Sequence, residues 1–333
     1  MDATTTLTLD EVFQISFKAL LACGANELNA AAIASATRAA EADGVSNVGL
    51  SHLPDYLNGF LSGKINGQAK PVMKQPAAGS ILVDGDGGVT VPAFDLAFPA
   101  LIDAAKTTGM AALAIHNTFT CGVVGYFVER IAEQGMLGQA YANSPAMMAP
   151  WGGNLPFFGT NPIAFAVPVK DQPPLIVDQS TSSTAFVNIR QAARENKPLP
   201  AGFALNKNGQ PTTDANEALK GTIAPAGGYK GANMAMLVDI MAGGLTTANW
   251  SHSSGSLVCS CEPLNLGQFF IAIDPTHFAG EAFYERMRDY LQVFAQQYSG
   301  RIPGASRHKH RLKAVEQGVQ VNQMTLEKLS NYQ

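Results

Sequence analysis

The chain has 333 residues, of which 46% are hydrophobic and only 14% are charged, and its formal net charge is −4 at pH 7. A chain of this length and composition buries a large core and is expected to form about two domains. The slightly acidic charge gives no electrostatic basis for binding nucleic acid, and Asn, Gly and Pro interrupt the two long uncharged stretches, which argues against membrane-spanning helices.

The amino-terminal part of the sequence is predicted to be helical. A first helix is expected over 10–23, and Gly24 follows it as a suitable C-cap. Asn26 has the side chain of an N-cap for an alanine-rich helix that runs to about Asp43. A third helix is predicted over 56–61, before Gly63.

From about residue 80, short apolar runs alternate with helical segments. Strands are predicted over 81–83, 111–115, 136–141, 163–169 and 175–177, and helices over 94–107, 123–134, 188–195, 234–245 and 282–296. The run Gly85-Asp86-Gly87-Gly88 is interpreted as a turn, and 199–214 as a surface excursion. This alternation is typical of an α/β sheet covered by helices.

Several local features carry further information. Cys259 and Cys261 are separated by one residue, which fits no common zinc pattern, so we expect no metal site and reduced thiols in a cytoplasmic protein. The amino terminus lacks the basic and apolar regions of an export signal. The basic run from Arg307 to Lys313 is interpreted either as a solvated turn or helix end or as an anion contact.

No Gly-x-Gly-x-x-Gly fingerprint follows a predicted strand, and no Walker loop is present. Five segments in order nevertheless resemble motifs of the type-2 malate/L-lactate dehydrogenases, which also include ureidoglycolate dehydrogenase, diketogulonate reductase, sulfolactate dehydrogenase and cyclic imine reductases. The segments are Ala142-Asn143-Ser144-Pro145 with Ala149-Pro150-Trp151-Gly152-Gly153, Gly159-Thr160-Asn161-Pro162, Val177-Asp178-Gln179-Ser180-Thr181-Ser182, Gly227-Gly228-Tyr229-Lys230-Gly231 and Arg301-Ile302-Pro303-Gly304. The similarity runs from about residue 10 to about residue 330.

The resemblance implies an α/β fold with a non-Rossmann sheet domain that binds NADPH or NADH, in a homodimer with a small-molecule substrate. It divides the chain into a helical region over 1–78 that contributes to the active site, an α/β cofactor- and substrate-binding core over 79–300, and a carboxy-terminal segment over 301–333 with a cofactor loop. The residues that it assigns to the cofactor are Ser144, Thr160, Asp178, Gln179, Ser180, Lys230, Pro303, Gly304 and Ala305.

Two of these assignments have a physical reason in the sequence itself. Gly227 and Gly228 allow the backbone to approach a ligand closely, and Lys230 adds a cation for phosphate at the start of the next helix. Asp178 is suited either to hydrogen bonds with a ribose or carboxamide or to capping a helix or turn, and both interpretations stay open.

The catalytic segments depart from the family pattern. The first reads Asp-Gly-x-x-Ser-His-Gly-x-x-Arg-x-Pro-x-Tyr in the family, and residues 43–56 align with it without a gap. Asn47 therefore replaces the Ser, Val48 the His, and His52 the Arg that binds the substrate carboxylate. In the second segment, Thr120 stands at the position of the general acid/base His.

The absence of both histidines affects which kind of substrate the enzyme can reduce. Reduction of a ketone forms an alkoxide that must be protonated, and a positioned acid contributes about 10²–10⁴-fold to the rate. A Thr hydroxyl is a weak acid, whereas an imine can enter already protonated. We therefore predict an NAD(P)H-dependent oxidoreductase that reduces a C=N bond of a cyclic imine, or a C=O bond, in a small metabolite other than malate or lactate. His52, Asn47 and Thr120 are its predicted catalytic-site residues.

Two alternatives stay open. One is a 2-oxo acid or 2-hydroxy acid dehydrogenase with a substituted proton donor, supplied by His52, by a relay through Thr120 or by Lys230. The other is a catalytically inactive dimer that binds a nucleotide or a metabolite.

Overall fold

The computed structural model describes residues 3–256 and 262–332. The strands are β1 (Thr4–Leu7), β2 (Val72–Ala77), β3 (Ser80–Gly88), β4 (Met110–Thr118), β5 (Leu137–Ala142), β6 (Ile163–Val169), β7 (Gln172–Gln179), β8 (Ala204–Leu205), β9 (Pro211–Thr212), β10 (Thr222–Ile223), β11 (Leu266–Ile273) and β12 (Val319–Asn322). The α-helices are α1 (Leu9–Ala22), α2 (Glu27–Ala42), α3 (Leu53–Leu61), α4 (Thr90–Thr108), α5 (Val124–Glu133), α6 (Phe186–Arg194), α7 (Ala215–Ala218), α8 (Tyr229–Asp239), α9 (Thr276–Ala279), α10 (Ala282–Gln296), α11 (Ala305–Gln317) and α12 (Gln323–Ser330). A π-helical turn, Ile240–Gly244, continues α8.

A seven-stranded sheet in the order β2-β3-β4-β11-β5-β6-β7 forms the centre of the fold. Its strands alternate apolar side chains between two faces. On one face, α4 and α5 pack through Phe94 and Phe127 against Phe270 of β11. On the other, α8 and its π-helical turn pack against Tyr141. Among the described strands of this sheet only β3 and β4 run parallel, so the predicted α/β class with a non-Rossmann sheet is confirmed.

The amino-terminal helices α1 to α3 share a second core with the end of the chain. β1 pairs antiparallel with β12, so the first and last segments lie side by side. Leu20 and Leu57 are fully buried in this core together with Ala314 of α11 and Leu329 of α12. Because of this packing, α11 lies against α2, next to the candidate site. The division of the chain at residues 78 and 300 stays a prediction.

The glycine-rich run after the third predicted strand is not a hairpin turn. β3 continues through it to Gly88, which pairs with Thr118 of the parallel neighbour β4. Asp86 and Gly87 have positive φ angles and form an irregularity in the register. Gly85 permits the close approach of β4, because a Cβ there would lie 2.3 Å from the Thr118 side chain. The glycines of this run, which have no side chain, therefore allow two strands to pack closely, and the chain does not reverse its direction here.

The segment 199–214 is not wholly a surface excursion. It contributes β8 and β9 to a three-stranded sheet with β10. Leu199 and Ala204 are buried in a small core with Ile189 of α6 and Ala215 of α7. This part of the chain therefore forms a small lobe with its own sheet and core.

Two further observations concern the cysteines and the prediction that no helix spans a membrane. Cys23 and Cys121 are free thiols, whereas Cys259 and Cys261 lie outside the described residues. In the described parts of the chain, none of the helices combines the length and apolar character needed to cross a membrane.

Candidate active site

The two segments that are predicted to carry the catalytic residues come together at one place in the fold. A 3-10 turn over Ser46–Val48 links the end of α2 to α3, and the loop after β4 approaches it from the sheet. Val48, Tyr56 and Cys121 line one largely apolar cavity of about 20 Å³, which is room for about one water. Because residues 48 and 121 meet, the geometry is consistent with the gap-free alignment of both catalytic segments.

Tyr56 and Thr120 bring two hydroxyl groups together in this region. Tyr56 is only 6% exposed, and burial raises the pKa of its phenol, an effect that the neighbouring Thr120 hydroxyl partly offsets. Thr120 Oγ1 is itself buried, and it makes no hydrogen bond of standard geometry to any residue in 3–256 or 262–332. A buried hydroxyl without a partner is rare and costs free energy, so it indicates a place where a ligand can donate or accept a hydrogen bond.

His52 lies beside this hydroxyl pair. Its half-buried ring meets the Tyr56 ring edge-on, with 5.0 Å between the centroids. Nδ1 of His52 pairs with Asp55 Oδ2 at 2.9 Å, and Asp55 is exposed. Asn47, by contrast, is exposed on the 3-10 turn. The structure therefore places His52 next to the site and Asn47 at its outer edge, and their catalytic roles stay predictions.

The basic run forms most of α11, and its two arginines bind carboxylates of the protein itself. Arg311 donates through Nε and Nη2 to Asp43 at 2.7 and 2.9 Å, and through Nη1 and Nη2 to Glu129 at 2.7 Å. Burial lowers the pKa of Arg311, but these bonds outweigh it and raise the pKa above its ordinary value. The interpretation as a solvated turn or helix end is wrong for this arginine, because α11 lies against α2 and α5.

Asp178 is held in a similar way at the end of β7. Its Oδ2 accepts hydrogen bonds from the Gly125 backbone N–H and from Arg307 Nη2, both at 3.0 Å. Asp178 thus caps the first turn of α5 from a neighbouring strand. Val123, the N-cap residue of α5, makes no side-chain hydrogen bond that would cap the helix. This geometry agrees with the capping interpretation. Within residues 3–256 and 262–332 no hydrogen bond to Oδ1 of Asp178 is formed, so this oxygen can accept one from a ligand.

The remaining cofactor motifs lie in one row at the edge of the sheet. Ser144 Oγ accepts from the Thr160 backbone N–H at 3.1 Å, and the Thr160 carbonyl accepts from Thr181 N–H at 2.9 Å. The Thr181 carbonyl in turn accepts from Ala226 N–H at 2.9 Å, just before the turn that starts α8. The structure therefore brings the motifs around residues 144, 160, 180 and 228 together.

Lys230 lies in the first turn of α8, at the end of this row. Gly227 and Gly228 both have positive φ angles. Gly228 is the N-cap residue of α8, and it has no side chain that could cap the helix. Lys230 is exposed and forms no ion pair with any of the described residues. An unpaired cation beside free backbone N–H groups fits a phosphate group.

A family model described as malate/L-lactate dehydrogenase matches residues 7–330. The chain belongs to this family. It is 36% identical over 304 residues to (2R)-3-sulfolactate dehydrogenase (NADP(+)) of Chromohalobacter salexigens, covering 91% of this chain and 90% of the relative. It is 34% identical over 341 residues to Delta(1)-pyrroline-2-carboxylate/Delta(1)-piperideine-2-carboxylate reductase of Pseudomonas putida, covering 99% and 98% of the two chains.

The crystal structure of delta1-piperideine-2-carboxylate reductase from Pseudomonas syringae pv. tomato is similar over the whole fold. The TM-score is 0.94 at 32% sequence identity, and the match covers 99% of this chain and 100% of that chain. The family resemblance and the prediction of an oxidoreductase are thus confirmed.

Sequence reasoning missed Tyr56 as a site candidate, and it identified Arg307 and Arg311 only as part of a basic run with an anion contact as one interpretation. Tyr56 entered only as an alignment marker, and nothing in the local pattern indicates that its hydroxyl meets residue 120. Arg307 and Arg311 are four residues apart, which places them on one face of a helix and is a usable signal. The three carboxylates that they bind are 129, 182 and 268 residues away along the chain, so only the tertiary structure identifies them.

Proposed function

We propose that this protein reduces the C=N bond of a cyclic imine with NADPH or NADH, and that malate and lactate are not its substrates. The observation that carries the proposal is the replacement of imidazole by Val48 and Thr120 at the two positions where the family has histidine. The relatives named reductases of cyclic imine carboxylates support a C=N substrate.

The chemistry follows from the basicity of the substrate. An imine nitrogen is much more basic than a carbonyl oxygen, so an imine binds as its protonated form and needs no acid from the protein. The nicotinamide, when bound, supplies a hydride to the substrate carbon. What remains for the protein is to hold the ring. Val48 and Cys121 offer apolar surface at the small cavity that they line, and His52 and Asn47, which lie outside that cavity, are proposed to orient the polar end.

The residues proposed to hold the cofactor fit a dinucleotide in their chemistry. The row supplies hydroxyl and amide groups, a free carboxylate oxygen and a cation, contributed by Ser144, Thr160, Asp178, Gln179, Ser180 and Lys230, with Pro303, Gly304 and Ala305 in the loop before α11. Gly304 packs on β7, where a Cβ would lie 3.0 Å from the Ile176 carbonyl oxygen, so the loop and Asp178 are close.

Replacement of Lys230 by Ala is expected to weaken cofactor binding about tenfold, because a charge-assisted bond to phosphate is lost. The Kd for NADPH and for NADH would be measured by fluorescence titration. Lys220→Ala is the control, since Lys220 is exposed but pairs with Glu217 away from the row. If the Lys230 variant and the wild type bound NADPH and NADH with equal affinity, Lys230 would not be a cofactor-binding residue.

A substrate panel tests the proposed reaction. Oxidation of NADPH and NADH would be followed with cyclic imine carboxylates, with 2-oxo acids and with sulfopyruvate. We expect kcat/KM to be highest for an imine. A higher value for an oxo acid would favour the second candidate, a 2-hydroxy acid dehydrogenase, which the sulfolactate dehydrogenase relative supports. Cofactor binding with no turnover of any compound would favour an inactive binding protein.

We further propose a homodimer, in which α8 of one copy packs against a second copy. The buried face of α8 carries Gly231, Ala232, Ala235 and Val238, with the buried Asp239 at its end. Its large apolar side chains point outward: Met236, Leu237, Ile240 of the π-helical turn and the following Leu245 are 42–55% exposed. Several large apolar side chains exposed together mark a surface suited to a partner, and the family resemblance implies a second copy as the occupant.

Leu237→Glu combined with Ile240→Glu is expected to halve the molar mass in solution, because two charges would be buried at the interface. Light scattering coupled to gel filtration measures the mass. Val315→Glu is the control, since Val315 is 70% exposed on α11. A wild-type monomer, or a double variant that stays dimeric, would contradict the proposed interface.

We also propose a cytoplasmic location. The free thiols of Cys23 and Cys121 support it, as does the supply of reduced nicotinamide inside cells. Cell fractionation followed by immunodetection would test it.

A further inference from the structure

A network of buried polar side chains lies behind the row of cofactor motifs. Four of its members have almost no exposed surface: Asn143 is 4% exposed, Asp239 is 2% exposed, and Asn161 and Ser251 are fully buried. They come from the segment after β5, the end of α8, the segment before β6 and the 3-10 turn Ser251–Ser253. Buried polar groups lose their hydrogen bonds to water, and a network that satisfies them from within holds its elements in one geometry.

Asp239 lies at the centre of this network. Its Oδ1 accepts hydrogen bonds from Ser251 Oγ at 2.8 Å, from the Ser251 backbone N–H at 3.1 Å and from Asn143 Nδ2 at 3.3 Å. It forms no ion pair with any residue in the described parts of the chain. The carboxylate is therefore committed to backbone and neutral side-chain donors, and it ties the segments around residues 143 and 251 to the end of α8.

The network leads to Ser144, a residue proposed to bind the cofactor. Ser251 Oγ also lies 3.1 Å from Asn161 Oδ1, which in turn accepts from the Ser144 backbone N–H at 3.3 Å. Nδ2 of Asn161 donates to the Ala235 carbonyl of α8 at 3.0 Å, so the orientation of this amide is fixed. Ser144 is thus held from its buried side by groups that are themselves closed to solvent.

We propose that Asp239 is a positioning residue for the cofactor, which acts by holding Ser144 in the orientation that a bound dinucleotide requires. Ser251 and Asn161 carry the connection between them. The inference rests on the proposed function, because the cofactor site is part of it. Asp239, Ser251 and Asn161 are too deeply buried to touch a ligand in the row. Their effect on the binding of NADPH and NADH must therefore pass through the position of Ser144.

The backbone around the network is shaped to admit it. A π-helical turn, a feature frequent at functional sites, starts directly after Asp239. Asn161 has a positive φ of 35°, which residues other than glycine rarely adopt. Gly159 allows its neighbours to approach, because a Cβ there would lie 2.2 Å from Ser144 Oγ and 2.6 Å from Asn161 Oδ1. Such local adjustments are expected where the geometry of Ser144 and Asn161 has to be fixed.

Ser251→Ala removes the hydroxyl between Asp239 and Asn161 and leaves the backbone bonds in place. We expect the Kd for NADPH and for NADH, measured by fluorescence titration, to rise about three- to tenfold, the effect of one buried hydrogen bond. Ser16→Ala is the matched control, since Ser16 is also fully buried and its hydroxyl donates to the Val12 carbonyl within α1. Unchanged cofactor affinity in Ser251→Ala, or an equal loss in Ser16→Ala, would overturn the proposal.

A double-mutant cycle separates positioning from a general loosening of the fold. If Ser251 acts through Ser144, its removal should matter little once the Ser144 hydroxyl is gone. We therefore expect the Kd of the double variant Ser144→Ala, Ser251→Ala to lie within about twofold of that of Ser144→Ala alone. Additive losses in the double variant would show that Ser251 does not act through Ser144, and the proposal would be wrong.

Asp239→Asn tests the centre of the network. It keeps the shape and the Oδ1 acceptor but accepts more weakly than a carboxylate, so its Kd for NADPH should lie between those of the wild type and Asp239→Ala. Equal losses in the Asn and Ala variants would contradict the acceptor role of Asp239 Oδ1. If Asp239→Ala does not fold, the Ser251 variants still decide the proposal. Failure of the wild type to bind either nicotinamide cofactor would instead contradict the proposed function.

Discussion

Replacement of Thr120 by histidine is expected to shift the enzyme from imines toward 2-oxo acids. The change restores the general acid that the family has at this position, and a positioned acid is worth about 10²–10⁴-fold in the protonation of an alkoxide. An iminium carries its own proton, so turnover of imines should gain nothing from the added acid. Steady-state kinetics with a 2-oxo acid and a cyclic imine would measure both changes in one protein.

The dependence on pH separates an imidazole effect from a packing effect. In Thr120→His, the rate with a 2-oxo acid should follow the protonated imidazole, so it should decline as pH rises through a pKa near the ordinary histidine value of about 6.5. Thr120→Asn is the control, since its side chain is polar but does not titrate in this range. An equal gain in the Asn and His variants would refute the idea that a missing acid limits ketone reduction.

Replacement of Arg311 by Met is expected to destabilise the fold by about 3–5 kcal/mol, the cost of removing one partner from a buried ion pair. Asp43 and Glu129 are only 8% and 12% exposed, and both would be left in the interior without their cation. Denaturant unfolding at neutral pH would give the free energy of unfolding. Catalysis should suffer as well, because Asp43 precedes the turn that carries Asn47 and Val48.

Arg288→Met is the matched control for this measurement. Arg288 pairs with Asp289, but their side chains are 37% and 66% exposed, so the pair should contribute less than about 1 kcal/mol. Arg311→Lys should lie between the wild type and Arg311→Met, because an ammonium keeps the charge but cannot engage both carboxylates as a planar guanidinium does. Equal stability of the Arg311 and Arg288 Met variants would show that the buried network contributes no more than a surface pair.

The catalytic substitutions could be found in the sequence because they lie in short motifs with fixed spacing. Asp43, Gly44 and Gly49 hold the register of the first segment, so the changes at positions 47, 48 and 52 follow by counting. The glycine-rich run at 85–88 shows the limit of local reasoning. The same residues suit a turn or a close strand contact, and only the approach of Thr118 from a neighbouring strand decides between them.

The sequence by itself determined the α/β class, the family and the loss of both histidines, because periodicity and motif spacing are local properties of the chain. The tertiary structure decided that Tyr56 lies with Val48 and Cys121, that Arg307 binds Asp178, and that Arg311 joins Asp43 to Glu129. These contacts join helices and strands that are far apart along the chain. Which residues meet in these contacts depends on how the amino-terminal helices, the sheet and α11 pack together. No local sequence pattern encodes that packing.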